Sequence, residues 1–205
     1  GIDISSTGEK MVTSYLSVQE GALKSMITFF SFGEAGEVNS EKILGGFILE
    51  GSMTPFVKFL DDTHVVAVSD DRLNFYNLKG TPKLEREIKI SHKINQVIYN
   101  DENVIICYEK SLGTLEEAAH TTIEVYSYEG DVVDQYQTSD TVRHITGEGS
   151  DYYVMLAHSI EYHHSKKMVW KSPYEKDAKS IMKIGKDQYL IVLQQGYELV
   201  KIKDI

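Results

Sequence analysis

Residues 57–80, VKFLDDTHVVAVSDDRLNFYNLKG, hold three apolar stretches separated by two Asp-Asp turns and closed by a glycine. An aspartate bonds its own backbone and so favours a tight reversal. The middle stretch, VVAV at 65–68, is continuously apolar, as a strand covered on both faces must be. The third, RLNFYNL at 72–78, alternates and then ends in a polar turn. The segment therefore reads as an antiparallel meander with buried central strands.

The same order recurs along the chain. Central apolar runs fall at 11–16, 64–69, 103–108, 152–157 and 188–193. Each follows a turn signal: Thr7-Gly8, Asp61-Asp62, Asn100-Asp101, Gly149-Ser150 or Gly185-Lys186. A strand candidate precedes each turn, at 1–5, 56–60, 94–99, 142–145 and 179–184. A third strand follows each central run, at 26–32, 73–78, 123–128, 160–164 and 197–202, and TIEVYSYEG at 122–130 shows it clearly. Four of the five units continue into a fourth strand, at 46–50, 84–90, 132–137 and 168–171. Four-stranded antiparallel units repeating every ~40–50 residues are the pattern of propeller blades.

Composition agrees with an all-β chain. Nineteen Ile, seventeen Val, twelve Thr and thirteen Tyr in 205 residues suit a pleated, half-buried surface, because branched side chains are stiff in helices. Helical spacing is nowhere sustained, and the best candidate, residues 115–120, is about one turn. The expected architecture is a β-propeller-like domain spanning 1–205, with about four to five four-stranded blades near 1–54, 55–91, 92–141, 142–176 and 177–205. Residues 17–24 and 110–121 are expected to be long loops. The fifth unit has no room for a fourth strand, and nothing at residue 1 is left over to complete it. Either the ring has five blades and a gap, or the chain is the carboxyl-terminal part of a larger propeller. The second is favoured. Open blade faces and strand edges would then invite a second copy.

Charge and cysteine content exclude several classes. Twenty-one basic against 31 acidic residues give a net charge of −10, so the phosphates of nucleic acid and anionic headgroups are repelled. One cysteine, Cys107, allows neither an internal disulfide nor a zinc site of paired thiolates. No apolar run approaches the roughly 20 residues of a membrane span, and no secretion-signal order stands at residue 1.

Three phrases carry a family resemblance: DISSTGEKMVTSYL at 3–16, KSMITFFSFGEAGE at 24–37 and VKFLDDTHVVAVSDDRLNFY at 57–76. The chain resembles the bacterial proteins grouped as domain of unknown function 5711. That resemblance covers nearly the whole chain and implies a propeller-like domain outside the cytoplasm. It also implies a single membrane anchor and further blades upstream, beyond this chain. It brings no activity and no functional residues.

Candidate chemistry is sparse. His158, Glu161, His163 and His164 form the densest set of metal-ligand types. On a strand His158 and His164 would share one face, and Glu161 and His163 the other. A metal needs three ligands on one point, so a blade-rim strand is the better reading than copper or nickel binding by His163 and His164. The acidic pairs at 61–62, 70–71, 101–102 and 116–117 match no spaced calcium loop and read mostly as turns. Cys107 sits in an apolar run and reads as a small buried hydrophobe. Ser5, Ser6 and Ser69 lack a nucleophile elbow. Gly33 and Gly36 lack the third glycine and the helix of a dinucleotide site, and Glu34 and Glu37 would repel phosphate. No catalytic, cofactor-binding or metal residue is assigned, and no cofactor is expected.

Surface remains. Tyr126, Tyr128, Tyr136, Tyr153, Tyr162 and Tyr174, with Trp170, are candidates for an aromatic binding surface; the alternative is cross-strand and inter-blade packing. The expected function is a non-catalytic extracytoplasmic module that binds a protein, peptide or glycan. The alternatives are an enzyme or redox protein with a quinone-type cofactor at the ring centre, or a purely structural spacer.

Overall fold

The computed structural model describes residues 1–19, 21–33, 42–99, 103–110, 120–148, 151–165, 167–176 and 178–201. All regular structure among them is strand, in five antiparallel sheets. The first sheet takes β1 (Ile2–Ile4), β2 (Lys10–Gln19), β3 (Ala22–Ser31) and β4 (Lys42–Glu50). The second takes β5 (Phe56–Phe59), β6 (His64–Val68), β7 (Arg72–Asn77) and β8 (Lys83–Lys89). The third takes β9 (Ile94–Tyr99), β10 (Val104–Lys110), β11 (His120–Tyr126) and β12 (Val132–Thr138). The fourth takes β13 (Val142–Glu148), β14 (Asp151–Leu156), β15 (Ser159–His164) and β16 (Lys167–Pro173). The fifth has β17 (Ala178–Gly185), β18 (Gln188–Leu193) and β19 (Tyr197–Lys201). Strand order follows chain order in every sheet.

Two compact units result, one of Gly1–Ile94 with Ser127–Asp131, the other of Asn95–Tyr126 with Val132–Ile205. In the first unit, two sheets meet through Val12, Ile27 and Phe29 on one side and Val65, Ala67 and Tyr76 on the other. Phe29 lies edge-on to Phe47 (centroids 6.1 Å) and tilted against Tyr76 (5.4 Å). The first strands lie side by side, tied by Asp3, whose carboxylate accepts the Phe59 N–H at 2.8 Å and pairs with Lys58 at 3.2 Å. In the second unit, Ile105, Ile123, Tyr152 and Val154 form one inter-sheet core, and Met155, Ile181, Tyr189 and Ile191 form the next.

One feature departs from the expectation. Residues 17–24 are not a loop: β2 and β3 pair without interruption from Lys10↔Ser31 to Gln19↔Ala22, and Gly21, at φ 76°, supports the reversal. Residues 111–119 lie outside the described residues, as do 100–102, 149–150 and 116–117 with their proposed turns and acid pairs, and Glu34, Gly36, Glu37 and Ile202. His120 begins a strand.

Each third-to-fourth strand pairing carries a register shift, at Phe29/Phe30, Phe75/Tyr76, Val125/Tyr126 and Tyr162/His163. Just before the first of these, Gly46, the partner of Thr28, brings β4 so close that an added Cβ would stand 2.8 Å from the Ile27 carbonyl. A bulge there bends the outer strand and tightens the twist.

The passage from β4 to β5 crosses buried ground, and buried backbone must find partners. Ser25 supplies two: its hydroxyl donates to the Ser52 carbonyl (2.8 Å) and accepts the Thr54 N–H (3.0 Å). Ser14 donates to the Thr54 carbonyl (2.8 Å). Ser25→Ala strands two buried backbone groups and is expected to lower stability by about 2 kcal/mol. Thermal melts should show the loss, with Ser31→Ala, on a half-buried position of the same strand, as the comparison; equal midpoints would refute the assignment.

Candidate functional site

The metal-ligand set of the fourth sheet divides. His158 lies in the turn between β14 and β15 rather than on the strand, and is exposed. His164 is exposed and pairs with Asp151 at 2.6 Å. Glu161 and His163 point the other way, into the second unit, as strand alternation requires. Only 1% of Glu161 is exposed, yet it is fully committed. Its carboxylate meets His163 Nε2 at 3.2 Å and Lys171 Nζ at 2.9 Å, and the Tyr136 hydroxyl bonds to it. His163 is stacked on Tyr152 (centroids 4.7 Å, 12°) and edge-on to Tyr136 (4.8 Å). The Tyr152 hydroxyl donates to Asp134 at 2.7 Å.

Burial alone would raise the Glu161 carboxyl. The hydrogen bonds from His163, Lys171 and Tyr136, with the Lys171 charge, outweigh it and hold the group down to about 2. A carboxylate so weakly basic is a poor proton acceptor near neutral pH. The cluster is a polar tie between the third and fourth sheets. Among the described residues, no three His, Cys, Asp or Glu side chains converge as a metal site.

The other candidates are structural as well. Asp61 shapes its turn by accepting the N–H groups of Thr63 (2.6 Å) and His64 (2.7 Å) and meeting His64 Nδ1 at 2.6 Å. Partial burial works against its ionisation, but those bonds prevail and lower the carboxyl to about 2. Asp70 and Asp71 both accept the Ser52 hydroxyl, at 2.7 and 3.0 Å. Cys107 is buried between the third and fourth sheets, and burial first, then the Glu109 charge, pushes its thiol up to about 12. Ser5 and Ser6 bond within or between turns, Ser6 to Asp62 at 2.8 Å, while Ser69 meets Thr54 at 2.8 Å.

The six singled-out tyrosines and Trp170 do not form an exposed surface. Tyr126 and Tyr153 are buried, and the others are half-buried. Tyr153 stacks on Tyr162 (4.9 Å), meets Trp170 (6.3 Å) and bonds the Tyr189 hydroxyl, inside the core between the fourth and fifth sheets. Burial or core packing claims Tyr126, Tyr136, Tyr153, Tyr162, Tyr174 and Trp170.

What stays exposed was not singled out by the sequence. The register places Ile2, Ile4, Tyr15, Ile43 and Ile48 on one face of the first sheet, opposite the face that meets the second sheet. All five are exposed, and Ile2 is 66% so; Met11, Met26 and Phe30 beside them are only half-buried. The fifth sheet is similar in kind: Met182, Leu199 and Tyr197 are exposed on the face opposite Ile181 and Ile191. The apolar residues at alternating positions of β2 and β3 were the signal available.

Comparison with known families matches residues 1–202 to the Family of unknown function (DUF5711). The chain belongs to this family. No curated protein matches this DUF5711 chain. Among solved structures it is similar to the N-terminal domain of Nup159 (TM-score 0.57, 13% identity, 99% of this chain and 58% of that one). It is similar to BBS1N, solved in complex with ARL6DN (TM-score 0.53, 12% identity, 93% and 64%). BamB from Moraxella catarrhalis gives TM-score 0.50, 9% identity, 96% and 56%. These neighbours are β-propellers, so the DUF5711 chain has a propeller-like fold. It spans less than two thirds of each of these three chains.

Proposed function

We propose that this chain is part of a larger β-propeller that works as a non-catalytic binding module outside the cytoplasm, held to the membrane by an anchor elsewhere in the polypeptide. The carrying observation is the apolar outward face of the first sheet. Its chemistry is that of the opposite face, which the second sheet covers, so a further sheet of the same kind is its natural cover. The greater length of the propeller neighbours supports this reading. A protein as the bound partner has support from one of them, BBS1N, solved with ARL6DN. Ionisable groups tied to one another, as Glu161 is, favour binding over proton-transfer chemistry.

Thiol labelling tests both parts, because the natural Cys107 is buried. Lys167→Cys, on an exposed strand end, is expected to react with a membrane-impermeant maleimide in intact cells. Reaction only after lysis would reject the extracytoplasmic placement. Ile48→Cys is expected to react readily in the purified chain and to be protected in the native protein. Equal reactivity in both would reject the covered face.

A further inference from the structure

The β2–β3 hairpin outruns its sheet. β1 pairs only with residues 11–13 of β2, and β4 reaches only to Lys24, whereas β2 and β3 pair to Gln19↔Ala22. On the face toward the second sheet, Val12, Ile27 and Phe29 are buried, and the crossover at 52–54 covers Ser14 and Ser25. Beyond that cover the same face continues as Leu16, Val18 and Leu23, all exposed, with Val18 at 74%. Val18 and Leu23 are cross-strand partners. Met53, also exposed, sits on the adjoining crossover, whose neighbour Gly51 donates its N–H to the Leu23 carbonyl at 3.3 Å.

A carboxylate borders this shelf. Asp70 accepts the Met53 N–H at 3.2 Å, and its own N–H donates to the Met53 carbonyl at 3.1 Å. Among the described residues no basic side chain pairs with Asp70, whereas neighbouring Asp71 is engaged by Arg72 at 2.8 Å. An apolar ledge ending in an uncompensated carboxylate has a definite complement: apolar side chains with a cation next to them.

We propose that the hairpin tip, with Met53 and Asp70, docks an exposed segment of a partner protein in which apolar residues are flanked by Lys or Arg. The proposal rests on reading the chain as a binding module and names where and what it binds. Its geometry is that of a projecting antiparallel ribbon whose apolar side chains stand clear of the sheet below. A segment laid on it buries the continuation of the same face that joins the first and second sheets.

Panning the chain against a phage-displayed library of random dodecapeptides tests this. Enriched peptides are then mapped on the 15N-labelled chain by amide shift changes. The expected result is a recurrent apolar–basic pattern, with shifts confined to residues 14–25 and 50–54 and to Asp70. Val18→Asp, at a solvent-facing position that leaves folding intact, is expected to weaken such peptides at least tenfold. Asp70→Asn is expected to weaken them about threefold and to reduce their sensitivity to salt. Peptides that map elsewhere would overturn the assignment of the tip while leaving the binding-module reading standing. Acidic consensus peptides would overturn the charge argument. No enrichment would overturn the proposal, and full maleimide reactivity at Ile48→Cys in the native protein would remove the broader reading separately. Val18-dependent sedimentation with neutral phosphatidylcholine vesicles, with no peptide enriched, would replace a protein partner by a lipid surface.

Discussion

Glu161→Ala is expected to lower stability by about 3 kcal/mol, because it removes a buried charged acceptor that holds three hydrogen-bond partners. It leaves His163 buried between two tyrosine rings without its carboxylate, and frees Lys171 and the Tyr136 hydroxyl. The wild-type carboxyl sits at about 2 in the folded chain against an ordinary 4.5. Its folded value is depressed, so its contribution is fully present above the unfolded value and is lost as pH falls through the folded one. That contribution is on the order of 3 kcal/mol, and it disappears between about pH 5 and pH 2. Urea unfolding at several pH values, followed through Trp170, the sequence's single tryptophan and a side chain of the same sheet, should show both effects. The alanine variant should lose this part of the acid dependence. A loss no greater than the ~0.5 kcal/mol of an ordinary surface substitution would show that the cluster holds nothing together.

The second large effect is expected in the first unit. Phe29 is wholly buried, and its ring meets those of Phe47 and Tyr76. Phe29→Ala removes a ring from a close-packed seam and is expected to cost about 3–5 kcal/mol. Phe29→Leu, which retains most of the volume, is expected to cost appreciably less. Near-ultraviolet circular dichroism should lose the tyrosine band to which Tyr76 contributes, and amide exchange at Val12 and Val65 should accelerate. Unchanged exchange at both would mean that this ring does not lock the two sheets together.

The fold was legible because it rests on period-two alternation and turn chemistry, both local. The run at 64–69 appears as β6 and that at 152–157 as β14, since a doubly covered strand has no polar face to blur its limits. The hairpin at 17–24 was misread for the opposite reason. Ser17, Val18 and Lys24 lie beyond the core, so no burial imposes a pattern on them. The shared face of Glu161 and His163 followed from alternation, but the cation could not. Lys171 stands opposite Glu161 only through the β15–β16 register, which crosses a bulge. Tyrosine abundance was visible in the composition, yet which side of each sheet a ring takes depends on that same pairing. The open apolar face was hidden because isoleucine at a strand position reads the same whether or not something covers it.

The shifts between third and fourth strands bear on how such a protein survives at high concentration. A fibril grows by adding strands to a flat, regular template, and the outer strand of each four-stranded sheet is the one a newcomer would reach. A bulge at the same step of all four sheets leaves that strand bent and its free amides out of line. On β8 the exposed Lys83, Glu85 and Lys89 add charge to the deterrent. Apolar sheet faces can thus stand open to a chosen neighbour while strand-by-strand growth is discouraged at the rim.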